Sequence, residues 1–352
     1  TVWIEPVNPT HIERLSIEPD VDNSCLKLQI NGKGDEQATA DIKLTDRQGT
    51  IVASLENAAI NTPLTLPVAS PHLWSPEDPY LYDLDITLSL NGEQTDAVKS
   101  YCGMRKIEVK KVNDIPRIFL NGKQIFQMGP LDQGWWPDGL YTAPSDEALL
   151  FDVKEMKELG FNMIRKHIKV EPSRWYMHCD REGILVWQDL PSPGLPAGHE
   201  AFARQNFEEE AVRIIDAFEN HPSIVQWVVF NEGWGQFDTE RMTQVVIDKV
   251  SPQSLVCCAS GWNDAEIGDI KDSHSYPYPS CPIDQKRACV NGEYGGITLK
   301  VPGHIWPGGD FGYTTVETPE DFTVMFNDLA DKIKDHYYYG LNAAVYLSLI
   351  HI

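Results

Sequence analysis

The chain has 352 residues, a length that predicts two domains, or one small domain followed by a barrel. Apolar residues make up 42% and charged residues 23% of the chain, which is typical of a globular protein. A net charge of −23 repels nucleic acid and anionic membrane surfaces, so we predict neither as a partner.

Cysteine usage and hydropathy exclude further classes. The seven cysteines include no CxxC pair, which argues against a disulfide framework or structural zinc. We predict no metal and no cofactor. No apolar run reaches the length of a membrane span. The chain opens with TVWIEPV and no initiator Met, so we expect the true N-terminus to lie upstream. Periplasmic, secreted and cytoplasmic locations stay open, as does a homo-oligomer.

The first part of the chain, residues 11–109, has the pattern of β-structure. CLKLQING alternates apolar and polar residues before an Asn-Gly turn, and YLYDLDITLSLNGEQ repeats this pattern. ATADIKLTDRQGTIVASLE adds two strands around a glycine turn. Short strands at this spacing, without a helical period, predict a β-sandwich.

The pattern changes over residues 110–352, where short apolar strands alternate with amphipathic helices from Gln124 onward. The strand candidates are QIFQMG, FNMIRKHI, ILVWQDL, IVQWVVFNE, SLVCCAS, DIKDSHSY, ACVNGEY and NAAVYL. One helix is expected between an N-cap at Ser145 and a stop at Gly160, and another at about 200–219. Eight such strands predict a (β/α)₈ TIM barrel. Short connections after strands five and six predict a distortion there.

Polar residues gather at the predicted C-terminal ends of the barrel strands, where barrel active sites form. They are Arg165 and His167 on strand two, Asp189 on strand three, Asn231 and Glu232 on strand four, His274 and Tyr276 on strand six, and Glu293 on strand seven. We therefore expect these side chains to share one site.

Two of these residues, Glu232 and Glu293, end strands that face each other across the barrel mouth. Glycoside hydrolysis uses such a pair: one carboxyl protonates the leaving oxygen, and the other acts as nucleophile when the separation is about 5–5.5 Å. Alone, an Asn-Glu pair at a strand end is more often a capped turn. A structural salt bridge is the simple alternative for Glu293 and for Arg165.

Four segments together resemble glycoside hydrolase family 2, which contains β-galactosidases, β-mannosidases and β-glucuronidases. FNMIRKHIKVEPSRWYMHCDREGILVWQDLPSPG is similar to the family's second and third barrel strands, and LWSPEDPYLYDL to the end of its immunoglobulin-like domain. VVFNEGWGQFD resembles the acid/base motif and VNGEYGG the nucleophile motif. TVWIEPV resembles the last strand of a preceding jelly-roll domain, so residues 1–10 are assigned to that domain.

The resemblance implies a retaining exo-β-glycosidase of the β-galactosidase type, acting on a small oligosaccharide or glycoside. Glu232 would be the general acid/base and Glu293 the nucleophile. Asn231 would bind the sugar 2-hydroxyl, while Arg165 and Tyr276 would hold the nucleophile ionised. The rest of the sugar subsite would be lined by His167, His274, Asp189 and Trp306.

The resemblance also requires Glu232 to hold a proton near neutral pH. We expect the neighbouring Trp234 and the negative charge of Glu293 to raise the pKa of Glu232.

Two other functions stay open. A metal-dependent barrel hydrolase would use His167, His274, Asp189 and Glu293 as ligands, although strand one lacks the HxH pair typical of such sites. A non-catalytic carbohydrate-binding fragment is the second. The ending AAVYLSLIHI departs from the family, which predicts a truncated barrel with a clipped eighth strand and no closing helix.

Overall fold

The computed structural model describes residues 4–192, 200–250, 252–303 and 312–347. The chain forms two compact units. The first runs to Lys106 and also includes Asp180–Gly183 and Asp216–Ser223, and the second contains the rest. Within the described ranges, the helices are all too short or too polar to cross a membrane. The predicted boundaries at residues 10 and 109 stay predictions.

The first unit is an immunoglobulin-like β-sandwich. Its strands are β1 His11–Asp20, β2 Cys25–Lys33, β3 Thr39–Thr45, β4 Ile51–Ala59, β5 Pro63–Pro67, β6 Tyr82–Leu90 and β7 Glu93–Cys102. They form two antiparallel sheets, in the orders β1-β2-β5 and β4-β3-β6-β7. Alternate side chains of both sheets, such as Leu28, Ile42 and Ile86, meet in one core. This confirms the predicted sandwich.

The second unit opens with a small antiparallel sheet of β8 Ile107–Val112, β9 Ile115–Leu120 and β10 Lys123–Gln124. Asn121 and Gly122 turn β9 into β10 with positive φ angles of 52° and 76°, which suits an Asn-Gly turn. This hairpin corrects one sequence prediction. Gln124 was assigned to the first barrel strand, but it pairs with Phe119, and the barrel begins three residues later.

The rest of the second unit is the barrel. Its first part consists of β11 Gln127–Asp132, α1 Asp146–Glu158, β12 Met163–Lys166, α2 Ser173–Glu182, β13 Leu185–Asp189, α3 Glu200–Phe218, β14 Ile224–Asn231, α4 Thr239–Val250 and β15 Leu255–Ser260. Its second part consists of β16 Ile270–His274, β17 Ala288–Gly295, β18 Ile297–Leu299, β19 Thr314–Val316, α5 Pro319–Tyr339 and β20 Leu341–Leu347.

Eight parallel strands form the barrel sheet, in the order β15-β14-β13-β12-β11-β20-β17-β16. The order confirms the predicted TIM barrel. The ring is nearly closed, with β15 and β16 at the two ends of the hydrogen-bonded series and one antiparallel bridge, Cys257 to Gly268, near that gap. The connections 261–269 and 275–287 contain no helix, which confirms the predicted distortion.

Helix α1 shows how local sequence sets the outer layer. The Ser145 hydroxyl accepts a hydrogen bond from the Ala148 amide at 3.2 Å, as an N-cap should. Leu149, Val153 and Met156 are buried, while Leu150 is only partly buried. Both helices predicted from the sequence are present.

The alternation of side chains along β12 sends two basic residues to different partners. Arg165 contacts Asp189 and Glu293, whereas the neighbouring Lys166 contacts Asp132 and Glu171 and lies 4.2 Å from the Trp175 ring centroid. Only the first of these residues therefore belongs to the site described next.

Candidate active site

Arg165 is the centre of the site. It is fully buried, and its five N–H groups make five hydrogen bonds. Nε and one terminal nitrogen contact the two oxygens of Asp189 at 3.2 and 2.9 Å. The remaining bonds reach Asn231 Oδ1 at 2.8 Å, Glu293 Oε1 at 3.2 Å and the Gly292 carbonyl at 3.0 Å. One guanidinium thus orients side chains from β13, β14 and β17.

Asp189 is the charge partner of Arg165. Burial raises the pKa of Asp189 to about 6, against the opposing charge of Arg165, so the carboxyl is ionised at neutral pH. Because both its oxygens bind the guanidinium, Asp189 holds Arg165 in place and is not positioned to contact a sugar through those atoms.

Glu293, near the end of β17, has both oxygens occupied. Oε1 accepts from Arg165, and Oε2 accepts from the Tyr276 hydroxyl. Burial, and then the charge of Glu293, raises the pKa of Tyr276 well above its usual range, so Tyr276 is a neutral donor. The Glu293 side chain is 7% exposed. These contacts hold the Glu293 carboxyl group at a fixed position.

Glu232 directly follows β14 and has a left-handed backbone with φ of 54°, a conformation that costs a non-glycine residue about 1–3 kcal/mol. Its amide donates to the Ser260 carbonyl at 2.7 Å, which ties this conformation to β15. Its Oε1 lies 3.1 Å from His274 Nδ1, and its Oε2 accepts from Trp234 Nε1 at 2.9 Å. The strained backbone directs the carboxyl toward these groups.

The expectation that the pKa of Glu232 would be raised is wrong for this structure. Donation from His274 is the largest cause that lowers the pKa of Glu232, and donation from Trp234 adds to it, while partial burial opposes both. Trp234 is 70% exposed and therefore does not shield the carboxyl from water. A hydrogen bond to a carboxylate stabilises its ionised form, which is why the indole acts opposite to the prediction.

A chain of hydrogen bonds backs His274. The Ser260 hydroxyl lies 2.6 Å from Asp272 Oδ2 and 2.8 Å from His274 Nε2. Burial raises the pKa of Asp272, and the charges of His274 and Arg165 oppose the rise. When ionised, Asp272 only accepts, so Ser260 donates to it and accepts from His274 Nε2–H. The other ring nitrogen, Nδ1, faces Glu232 Oε1 at 3.1 Å.

The two carboxylates lie close together. One oxygen of Glu232, one oxygen of Glu293 and one ring nitrogen of His274 all lie within 4.8 Å of one another. Glu293 is hydrogen-bonded to Arg165 and Tyr276, while Glu232 contacts His274 and Trp234. The site therefore places two carboxyl groups side by side, each held by its own pair of contacts.

The remaining predicted residues are placed as follows. Asn231 is 6% exposed, and its Oδ1 accepts from Arg165. His167 Nε2 lies 3.7 Å from Glu293 Oε1, and its Nδ1 lies 3.0 Å from Gln133 Nε2. Trp306 lies outside the described residues. The structure thus brings eight of the nine predicted side chains into one connected cluster.

Sequence reasoning missed several members of this cluster. Tyr313 stacks on Tyr276 with ring centroids 3.7 Å apart and planes at 3°. Ser260 ends the predicted fifth strand, and Asp272 lies on the predicted sixth strand. Their position at the barrel's C-terminal side was the sequence signal that could have identified them as site residues. Gly292, in the VNGEYGG segment, carries a further signal: a Cβ there would lie 2.2 Å from Asp272 Oδ2. Only glycine permits this approach.

Comparison with known proteins identifies the family of this chain. The profile of Glycosyl hydrolases family 2 matches residues 10–105, and that of its TIM barrel domain matches residues 111–294. A beta-galactosidase of Halalkalibacterium halodurans is 28% identical over 66% of this chain and 25% of that protein. A beta-glucuronidase of Bacteroides fragilis is 28% identical over 61% of this chain and 32% of that protein.

Solved structures agree on the fold. A beta-glucuronidase from Ruminococcus gnavus, in complex with N1-substituted uronic isofagomine, has a TM-score of 0.77 at 15% identity, covering 97% of this chain and 61% of that one. The chain spans about a quarter to a third of the curated relatives named above. Since the barrel profile alone matches more than half of the 352 residues, and the other profile precedes it, the chain belongs to Glycosyl hydrolases family 2.

Proposed function

We propose that this chain carries the active site of a retaining exo-β-glycosidase, with Glu293 as nucleophile and Glu232 as general acid/base. The observation that carries the proposal is the approach of the two carboxylates, with oxygens within 4.8 Å of each other. Retaining glycosidases hold their carboxyl groups about 5–5.5 Å apart, whereas inverting enzymes need about 6.5–9.5 Å to admit a water.

The contacts support a double displacement. Glu293 attacks the anomeric carbon and forms the glycosyl–enzyme bond, while Glu232 transfers its proton to the departing glycosidic oxygen as that bond breaks. Glu232 then takes a proton from water, whose oxygen attacks the anomeric carbon and releases Glu293 as a carboxylate. Tyr276 and Arg165 stabilise that carboxylate before and after the reaction.

The burial of the polar residues at the base of the site favours the binding of a terminal sugar. Arg165, Asn231 and Glu293 are buried, and their polar groups are aimed at one another. The NH₂ group of Asn231 is the donor that we assign to the sugar 2-hydroxyl, a contact that strengthens in the transition state.

We further propose a neutral sugar of the β-galactoside type. A uronic acid requires a cation with donors to spare, but Arg165 uses all five on the protein itself. Lys166 and Lys169 are bound to Asp132, Glu171 and the Gly134 carbonyl. Within the described ranges these basic residues are therefore committed to protein acceptors.

A metal-dependent hydrolysis finds less support. Donor atoms of Glu232, His274 and Glu293 are close enough to share an ion. However, a cation bound there would face the Arg165 guanidinium, which is 3.2 Å from Glu293 Oε1. Both oxygens of Asp189 are taken by Arg165, which removes one of the ligands that such a site would need.

The test uses 4-nitrophenyl β-glycosides of galactose, glucuronic acid, mannose and glucosamine with the full-length protein, and NMR detection of the first anomer released. We expect fastest cleavage of the galactoside, a β product, and activity that survives EDTA. Glu293→Gln should abolish turnover, whereas Glu210→Gln, on the exposed face of α3, should not change it.

Each opposite result overturns a named part of the proposal. An α product excludes the double displacement, and loss of activity in EDTA favours the metal site. Near-normal turnover in Glu293→Gln excludes the nucleophile assignment, and no cleavage of any glycoside favours the non-catalytic alternative.

A further inference from the structure

Two tryptophan side chains beside Glu232 are exposed to solvent. Trp234 is 70% exposed and Trp262 is 47% exposed, although indole is among the largest apolar groups that a protein can bury. By contrast, the indole of Trp227, on the adjoining strand β14, is 1% exposed. The two exposed rings therefore lie on the outer side of the site rather than in the barrel core.

Both rings are held close to the proposed acid. Trp234 Nε1 donates to Glu232 Oε2 at 2.9 Å. Trp262 packs edge-on against His274, with ring centroids 5.7 Å apart, and His274 lies 3.1 Å from Glu232 Oε1. Each indole is thus separated from the Glu232 carboxyl by no more than one side chain.

The two loops that carry these rings are fixed to each other. Gln236 donates to the backbone carbonyl of Glu232 and lies 3.5 Å from the Trp262 carbonyl. A Cβ on Gly233 would lie 2.6 Å from Asn263 Nδ2 and 3.7 Å from Trp262 Nε1. The loops after β14 and β15 therefore pack together tightly, which orients both indoles before any ligand arrives.

The two oxygens of Glu232 distinguish an inner side from an outer side. Oε1 faces His274, which is also 3.7 Å from Glu293, so this oxygen lies toward the nucleophile. Oε2 faces the exposed Trp234. A general acid protonates the oxygen of the leaving group, so that group must extend past Glu232 on the side away from the nucleophile.

We propose that Trp234 and Trp262 form the subsite for the leaving group and select aglycones with a flat apolar face, such as an aryl ring or the apolar face of a second sugar. This inference depends on the function proposed above, because it takes Glu232 as the proton donor. Aromatic rings gain about 0.5–1.5 kcal/mol by stacking beyond the area that they bury. That gain corresponds to about a 2- to 10-fold increase in affinity per ring.

The test measures binding without turnover. Phenyl and methyl 1-thio-β-D-galactoside are titrated calorimetrically into the full-length wild-type protein and into Trp234→Ala and Trp262→Ala, with the matching glucuronides if the nitrophenyl panel selects glucuronide. We expect each substitution to weaken binding of the phenyl ligand about 2- to 10-fold and to leave the methyl ligand within about twofold. Tyr338→Ala, an exposed aromatic residue on α5, is the matched control and should bind both ligands as the wild type does.

Trp234→Phe and Trp262→Phe keep an aromatic face and should restore most of the preference for phenyl. Equal losses for phenyl and methyl ligands, or a wild type without a phenyl preference, overturn the subsite. If the nitrophenyl glycosides are cleaved as expected but neither tryptophan substitution changes phenyl binding, the subsite is refuted and the proposed function is not. Retained turnover in Glu293→Gln refutes the proposed mechanism, whatever the binding result.

Discussion

Replacing Tyr276 with Phe tests how the nucleophile is stabilised. In the wild type, the Tyr276 hydroxyl donates to Glu293 Oε2, while Arg165 donates to Oε1 from 3.2 Å. The substitution removes the first donor and keeps the second. It also keeps the aromatic ring that stacks on Tyr313 at 3.7 Å, so the local packing should survive. The change therefore isolates one hydrogen bond.

The size of the effect follows from the charge on the acceptor. A hydrogen bond to an ionised group contributes about 1.5–3 kcal/mol, because the carboxylate of Glu293 is removed from water and depends on its protein donors. Each 1.36 kcal/mol of stabilisation that the transition state loses lowers the rate about tenfold. Since Glu293 regains negative charge when the glycosyl–enzyme bond breaks, we expect kcat to fall roughly 10- to 150-fold for a substrate whose second step limits turnover.

The assay compares kcat for 2,4-dinitrophenyl and 4-nitrophenyl glycosides of the preferred sugar, together with the thermal unfolding midpoint. Tyr278→Phe is the matched control: it removes a hydroxyl two residues away on a side chain that is 47% exposed. We expect normal kinetics and an unchanged midpoint for the control, and a lower midpoint for Tyr276→Phe, because the same hydrogen bond stabilises the folded protein. A Tyr276→Phe variant within twofold of the control would refute the role of the hydroxyl.

Three further predictions concern Tyr313, Trp234 and Asp152. Tyr313→Ala should lower kcat about 2- to 10-fold, because it removes the ring stacked on Tyr276, and Tyr313→Phe should restore it. Trp234→Phe removes a donor that lowers the pKa of Glu232, so the basic limb of the kcat/KM profile should move to higher pH. Burial raises the pKa of Asp152 from 3.8 to about 7, so this residue makes folding less favourable as pH rises through that window. Asp152→Asn should therefore raise the unfolding midpoint more at pH 8 than at pH 5.

Each of these predictions has a distinct contradicting result. Equal kcat for the Ala and Phe variants of Tyr313 would show that stacking does not position Tyr276. A basic limb that stays in place, or moves to lower pH, would contradict donation from Trp234 to Glu232. A midpoint change of the same size at both pH values would show that Asp152 does not titrate between its ordinary pKa and about 7.

The barrel and both proposed catalytic carboxylates could be anticipated from sequence because their signals are local. Buried parallel strands appear as short apolar runs; Glu232 directly follows one such strand, and Glu293 lies near the end of another. The same locality led to the error at Gln124. The apolar residues around it continue the strand pattern, and only the pairing with Phe119 shows that it closes a hairpin instead.

The charge state of Glu232 required the tertiary structure. From the sequence, Trp234 is an apolar neighbour two residues away, which predicts a raised pKa. The left-handed backbone at Glu232 instead brings the indole N–H onto its carboxyl, and β16 brings His274 to the other oxygen. The sign of the effect reverses because a donor at hydrogen-bonding distance outweighs partial burial.

The sequence by itself determined the fold class, the two glutamates and the basic residue on the second barrel strand. Tertiary structure decided how they are used. Arg165 uses all five of its donors on segments far apart in the chain, and Ser260 links Asp272 to His274. The exposure of Trp234 and Trp262 likewise depends on the fold around them. Periodicity records which face of an element is buried. It does not record which distant side chain contacts that face. In this site, such contacts determine the charge and hydrogen bonding of the carboxyl groups and the solvent exposure of the tryptophans.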